Sequence, residues 1–292
     1  MKTPFIAILL LIFCITATAK DYKLMWEDNF NNRTLNKKNW TINVDGKGGG
    51  NRELQYYRKQ NISIEKEPIT GASCLVITAK KQNHKDKTAT SGRISTLGKK
   101  SFKYGKIEAR IKMPKTANGL WPAFWMLGAD QKTAEWPKCG EIDIAEMGKI
   151  TGIENGVQDR YFNGACHWGE SWNGGSYPNK GISTTNSYSL QDDFHTYTMF
   201  WTPDSITMYL DLDKFPNTKP YFEIPITGDG LENQTSRYFR KPFYIIFNLA
   251  VGGTFSEIYD INHITALANG NAKMYVDFVR VYQKNETNLT SK

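Results

Sequence analysis

Only four of the 292 residues are cysteine, and their spacing matches no metal motif. Past residue 20, no stretch approaches the ~20 apolar residues that a membrane-spanning helix needs. There is no linker, no low-complexity run and no internal repeat, which makes one large domain the simplest organisation. No long segment carries a 3.6-residue hydrophobic period, which argues against a helical architecture. The formal charge is +8 and the pI ≈ 9.1, yet no basic block exists. Lys and Arg are scattered among acids, so the charge describes a solvated basic surface and no nucleic-acid partner is expected.

The one long apolar run lies at the start, in MKTPFIAILLLIFCITATAK. Lys2 is a basic n-region, Phe5 to Ile15 an apolar core, and Ala17-Thr18-Ala19 a small-residue cleavage site. A signal peptide over 1–19 and a secreted or periplasmic domain over 20–292 are expected. A lipoprotein anchor at Cys14 is disfavoured, because Phe13 stands where a small residue is required. Cys74, Cys139 and Cys166 remain. Pairing of Cys139 with Cys166, and three buried thiols, are both open.

What is present is alternation with period two. In KIEARIKMP, Ile107, Ala109, Ile111 and Met113 face one way and Glu108, Arg110 and Lys112 the other. In SITMYLDLD, Ile206, Met208, Leu210 and Leu212 alternate with Thr207, Tyr209 and Asp211. Similar runs cover 74–80, 194–202, 242–251 and 274–283, with Gly-rich turns at 48–50, 173–175, 228–230 and 252–253. The pattern predicts an all-β fold, two antiparallel sheets packed as a sandwich or jelly roll. Several of the eight Trp, namely Trp121, Trp136, Trp168 and Trp172, fall in loop-like stretches where a flat ring can stack on a sugar.

The densest chemistry is in GEIDIAEMG, 140–148, with three carboxylates inside six residues. In a strand, Glu141 and Asp143 share a face, while Ile142 and Ile144 point into the core. Glu146 would point inward in a regular strand, a costly burial of a lone carboxylate. A β-bulge at Ile144-Ala145 restores the phase and lines all three acids on one face. Two carboxylates across a cleft are the machinery of glycoside hydrolysis, and mutual repulsion raises at least one pKa, as a general acid requires. A cation site or a solvated acidic face is the alternative, but the motif lacks EF-hand spacing.

GEIDIAE resembles the E-x-D-x-x-E active-site motif of glycoside hydrolase family 16, in its laminarinase-like, bulged form. WEDNF at 26–30, ELQYY at 53–57, GRISTLGKKSFKYGKIEARIKMP at 92–114, GLWPAFWMLG at 119–128 and FNLAVGG at 247–253 extend the likeness along the chain. The resemblance implies a concanavalin-like jelly roll with a concave cleft and retaining hydrolysis of internal β-glycosidic bonds. It implies Glu141 as nucleophile, Asp143 as assisting carboxylate and Glu146 as acid/base. Mutual repulsion and nearby donors predict that Glu141 ionises first and that Glu146 keeps its proton. It further places Asn51, Glu53, Arg93, Trp121, Trp125, Trp136, His167 and Asn248 along the sugar subsites. No cofactor is expected for catalysis. The family's structural calcium would fall near Asn29, Gly71 and Asp277, although relatives commonly carry an acid where Asn29 stands. The expected partner is a β-glucan, laminarin or mixed-linkage, handled by a monomer. A galactan hydrolase and a non-catalytic glucan-binding protein are the alternatives, the latter opposed by the presence of both Glu.

Overall fold

The computed structural model describes residues 22–284, so the expected signal peptide over 1–19 and Cys14 lie outside the described residues. Two sheets face each other. The smaller runs Asn179–Thr185, Tyr161–His167, Glu141–Met147, Leu120–Gly128, Phe243–Val251, Arg93–Ser95, Thr41–Ile42 from edge to edge. The larger has ten strands, along the order Phe222–Pro225, Ser205–Leu210, His195–Trp201, Gly105–Lys112, Asn271–Lys284, Ser73–His84, Lys87–Ser91, Gln55–Tyr57. Tyr22–Asp28 adds to Asn271–Lys284, and Ile62–Lys66 to Ser73–His84. Every named strand pair is antiparallel except Gln55–Tyr57 with Lys87–Ser91.

All six strands expected from alternation are present, and their apolar faces meet between the sheets. Ile107, Ala109 and Ile111 of one sheet join Phe124, Met126, Ile142 and Phe247 of the other in one buried cluster. Each such side chain contributes roughly 1.5–3 kcal/mol of burial, so register is strongly specified. One predicted face ends early. The strand through Ile206 stops at Leu210, and Asp211 takes a left-handed φ of 50°. Its carboxylate turns inward, 2.6 Å from His195 Nδ1, and accepts from the Tyr188 hydroxyl and the Thr196 N–H.

The cysteine question resolves as three free, buried thiols. Cys166 packs in the core between the sheets, whereas Cys139 packs with Leu127, Tyr244 and Ile246 in a separate cluster.

Candidate active site

The acidic strand has the predicted bulge. Against Leu120–Gly128, Asp143 faces Trp125 but Ala145 faces Phe124, leaving Ile144 without an opposite number. Against Tyr161–His167, Asp143 faces Ala165 and Glu146 faces Asn163. Ile142, Ile144, Ala145 and Met147 are all buried in the core, and Glu141, Asp143 and Glu146 line one cleft. The Ile144 carbonyl accepts the Tyr221 hydroxyl, which satisfies a backbone group at the disrupted ladder. Gly148 ends the strand at φ 98°, where a Cβ would stand 1.9 Å from the Leu120 carbonyl oxygen. Only glycine fits there.

The three carboxylates differ in their neighbours. Glu141 accepts from Trp136 Nε1 at 3.1 Å. Glu146 accepts from Trp121 Nε1 at 2.8 Å and from Asn163 Nδ2 at 3.0 Å. Asp143 is 3% exposed, with Oδ2 at 3.2 Å from His167 Nε2. That contact is close but poorly aligned, so the oxygen has no good hydrogen-bond donor. His167 Nδ1 meets the Tyr177 hydroxyl at 3.2 Å.

Burial pushes the Glu141 and Asp143 carboxyls well above the usual range, reinforced by the charge of Asp143 on Glu141 and of Glu146 on Asp143. Burial also raises Glu146, but the Trp121 and Asn163 donors pull it back. Two donors thus sit on Glu146 and one on Glu141. The macroscopic values belong to the three together.

The residues named for sugar binding all converge. Asn51, Glu53, Arg93, Trp121, Trp125, Trp136, His167 and Asn248 line the same cleft of about 950 Å³. Several form one network. Trp125 Nε1 donates to Asn248 Oδ1 at 2.6 Å, Asn248 Nδ2 to the Tyr57 hydroxyl at 3.3 Å, and that hydroxyl to Glu53 Oε2 at 3.2 Å. Asn51 and Gln55 amides also donate to Glu53. The Arg93 guanidinium lies over the Trp125 ring, 4.8 Å from its centroid. Trp172, 58% exposed, also lines the cleft, but Trp168 does not. Its ring packs on Phe239 in the core, and Nε1 donates to the Asn233 carbonyl.

Sequence reasoning missed Asn163, Tyr177, Lys149 and Phe255, all lining the cleft. Asn163 was within reach, since it shares a strand face with His167. Phe255 was not; it stacks on Trp121 at 4.6 Å and 12° from a distant loop.

The positions named for calcium hold one carboxylate. Calcium takes 6–8 oxygen ligands, backbone and amide carbonyls among them. Asn29 offers a neutral amide, Gly71 only backbone, and Asp277 is taken by Arg110 at 2.6 Å. Glu141, Asp143 and His167 bring ligand atoms within 4.8 Å of one another, and they are not assigned a metal.

A family model, "Glycosyl hydrolases family 16", matches residues 18–225. The chain is 33% identical over 274 residues to the beta-glucanase of Rhodothermus marinus, covering 91% of this chain and 86% of that one. A Bacteroides ovatus family-16 enzyme of a mixed-linkage glucan locus, solved with a G4G4G3G product, superposes with TM-score 0.77 at 39% identity, covering 88% of this chain and all of that one. The laminarinase catalytic domain of Thermotoga petrophila gives 0.71 at 30%, covering 91% and 99%. The chain spans 35% and 38% of the length of two longer relatives. It belongs to glycosyl hydrolases family 16.

Proposed function

We propose that this chain is an endo-acting β-glucanase that cleaves internal β-1,3 or mixed-linkage β-1,3-1,4 glucosidic bonds with retention of configuration. The observation that carries this reading is the bulged strand, which puts Glu141, Asp143 and Glu146 on one cleft face flanked by Trp121, Trp125 and Trp136. The relatives and solved neighbours named for β-glucans support the substrate class. Extended length and aromatic walls suit a polymer that lies across the sheet, with pyranose C–H faces on the indoles.

In the reaction, Glu141 attacks the anomeric carbon while Glu146 gives its proton to the departing oxygen. Asp143, holding a proton, can donate to Glu141 and keep it a carboxylate at the moment of attack. Glu141 then carries the glycosyl group and no charge. Glu146, held by Trp121 and Asn163, takes a proton from water that hydrolyses the ester. His167 Nε2 lies 3.2 Å from Asp143 Oδ2 on the neighbouring strand.

Export and monomeric state remain part of this proposal. Reducing-sugar release from laminarin, mixed-linkage glucan, agarose and carrageenan is the test. Release from either glucan with oligosaccharide products is expected. Release only from a galactan would move the chain to the galactan branch, and release from none would leave a binding protein.

A further inference from the structure

Three polar residues line up behind Glu146. Lys149 Nζ is 3.3 Å from Ser183 Oγ, Ser183 Oγ is 3.1 Å from Asn163 Oδ1, and Asn163 Nδ2 is 3.0 Å from Glu146 Oε2. Strand register builds the row: Glu146 pairs with Asn163, and Asn163 pairs with Ser183 on the edge strand. Lys149 follows Gly148, whose turn carries the chain away from the strand's path. An ammonium has three donors and no acceptor, so Lys149 can only donate. Ser183 Oγ therefore accepts from Lys149 and gives its single proton to Asn163 Oδ1. That leaves the Asn163 N–H group pointing at Glu146. The direction of the whole string is fixed from its far end.

We infer that Lys149, Ser183 and Asn163 form a one-directional hydrogen-bond relay that positions the Glu146 carboxyl and biases it toward its ionised form. The inference rests on the reading of Glu146 as acid/base. The need for such a device follows from the site. Glu146 shares a buried cleft with Asp143 and Glu141 on its own strand, and burial favours its protonated form. The groups acting the other way are Trp121 from one flanking strand, Asn163 and His167 from the other, and Lys149 from the turn. Trp121 and Asn163 each hold one carboxyl oxygen, which fixes the plane of the group and leaves the remaining lone pairs for the proton in transit. If Asn163 flipped, its carbonyl oxygen would face Glu146 instead and favour the protonated form. Ser183 and Lys149 are positioning residues that forbid this flip.

The test reads Glu146 itself. In protein labelled with carboxyl-¹³C glutamate, the Glu146 resonance is identified by its loss in Glu146→Gln, and its titration midpoint is followed by NMR. Lys149→Met and Ser183→Ala should each raise that midpoint by about half a pH unit. Lys149→Arg and Ser183→Thr, which keep the donors, should restore it. Asn163→Asp should raise it by about one unit or more, because an anion replaces a donor. On polysaccharide the alkaline limb of kcat/KM should move up with the midpoint. On an aryl glycoside with a dinitrophenolate leaving group, which needs no proton, the alkaline limb of kcat/KM should not follow the midpoint. A merely structural role would lower Tm without moving either midpoint. Unmoved midpoints in both Lys149→Met and Ser183→Ala would overturn the relay. Failure of the parent to cleave any β-glucan would overturn the glucanase reading instead, and the NMR midpoints would still decide the relay.

Discussion

In the acidic strand the extra residue falls at Ile144–Ala145; in Asn271–Lys284, on the opposite sheet, it falls at Asp277, between Val276 and Phe278. Both irregularities keep apolar side chains in the core on either side of the shift: Ile142 and Met147 in one, Val276 and Val279 in the other. The carboxylates are treated in opposite ways. Asp277 is met by Arg110 at 2.6 Å, and nearby Glu67, 2% exposed, by Lys112 at 3.0 Å. Burial pushes Glu67 up, but the Thr70 and Ile69 N–H groups, the Thr70 hydroxyl and Lys112 bring it down to about 2. Among the described residues no Lys or Arg pairs with Glu141, Asp143 or Glu146, and their carboxyls shift upward. One backbone device thus serves an acid paired with a cation on one sheet and a cleft set without a Lys or Arg partner on the other.

The largest break in that comparison is Glu141→Gln. It should lower turnover by about four orders of magnitude or more, with circular dichroism unchanged. Tm at neutral pH should hold or rise, since one of three repelling acids is gone. Undiminished turnover would remove Glu141 as nucleophile. Deletion of Ala145 comes next. It restores regular phase and re-aims Glu146, so a loss of about a hundredfold or more is expected in an endpoint glucan assay. A fully active deletion variant would show that flanking strands absorb the shift.

The pH dependence sharpens the contrast, because the two regions have opposite signs. Glu141 and Asp143 have raised pKa values when folded, so the native state binds more protons than the unfolded chain above pH 4 or so. Their contribution is fully present below the unfolded values and is lost as pH rises toward the folded ones. Glu67 is depressed, so its contribution is present above the unfolded value of 4.5 and is lost as pH falls through about 2. Denaturant midpoints of Glu141→Gln and Glu67→Gln, each compared with wild type across pH, should therefore diverge in opposite directions. Parallel curves would contradict the assignment.

The smallest effects belong to the structural bulge. Asp277→Ala should leave turnover unchanged and lower Tm by about 2 °C, as a half-exposed ion pair contributes only about 1 kcal/mol. Chelator treatment should shift Tm by less than about one degree, because the one carboxylate among the positions named for calcium already pairs with Arg110. A large chelator effect would mean that the donor set rearranges around an ion.

The fold was legible where burial is one-sided. Period-two runs such as Ile107 to Met113 announced their strands, and the misplaced phase of Glu146 announced the bulge, because a buried lone carboxylate is too costly to leave unrepaired. What escaped notice depends on contacts between distant segments. Nothing local to Asp211 says that its carboxylate turns in to His195. Nothing in TFSEIY says that Phe255 lies on Trp121. Trp168 and Trp172 look alike in a Gly-rich loop, yet one packs on Phe239 and the other faces the cleft.

The division of labour between Glu141 and Glu146 is the central claim, and azide rescue of Glu146→Ala tests it most directly. That variant should lose activity on polysaccharide yet still transfer the glycosyl group from an activated aryl β-glycoside to Glu141. Added azide should then replace base-activated water, restore turnover and give a β-configured glycosyl azide, identified by proton NMR. An α-configured azide would mean direct single displacement and would contradict the roles assigned to both residues.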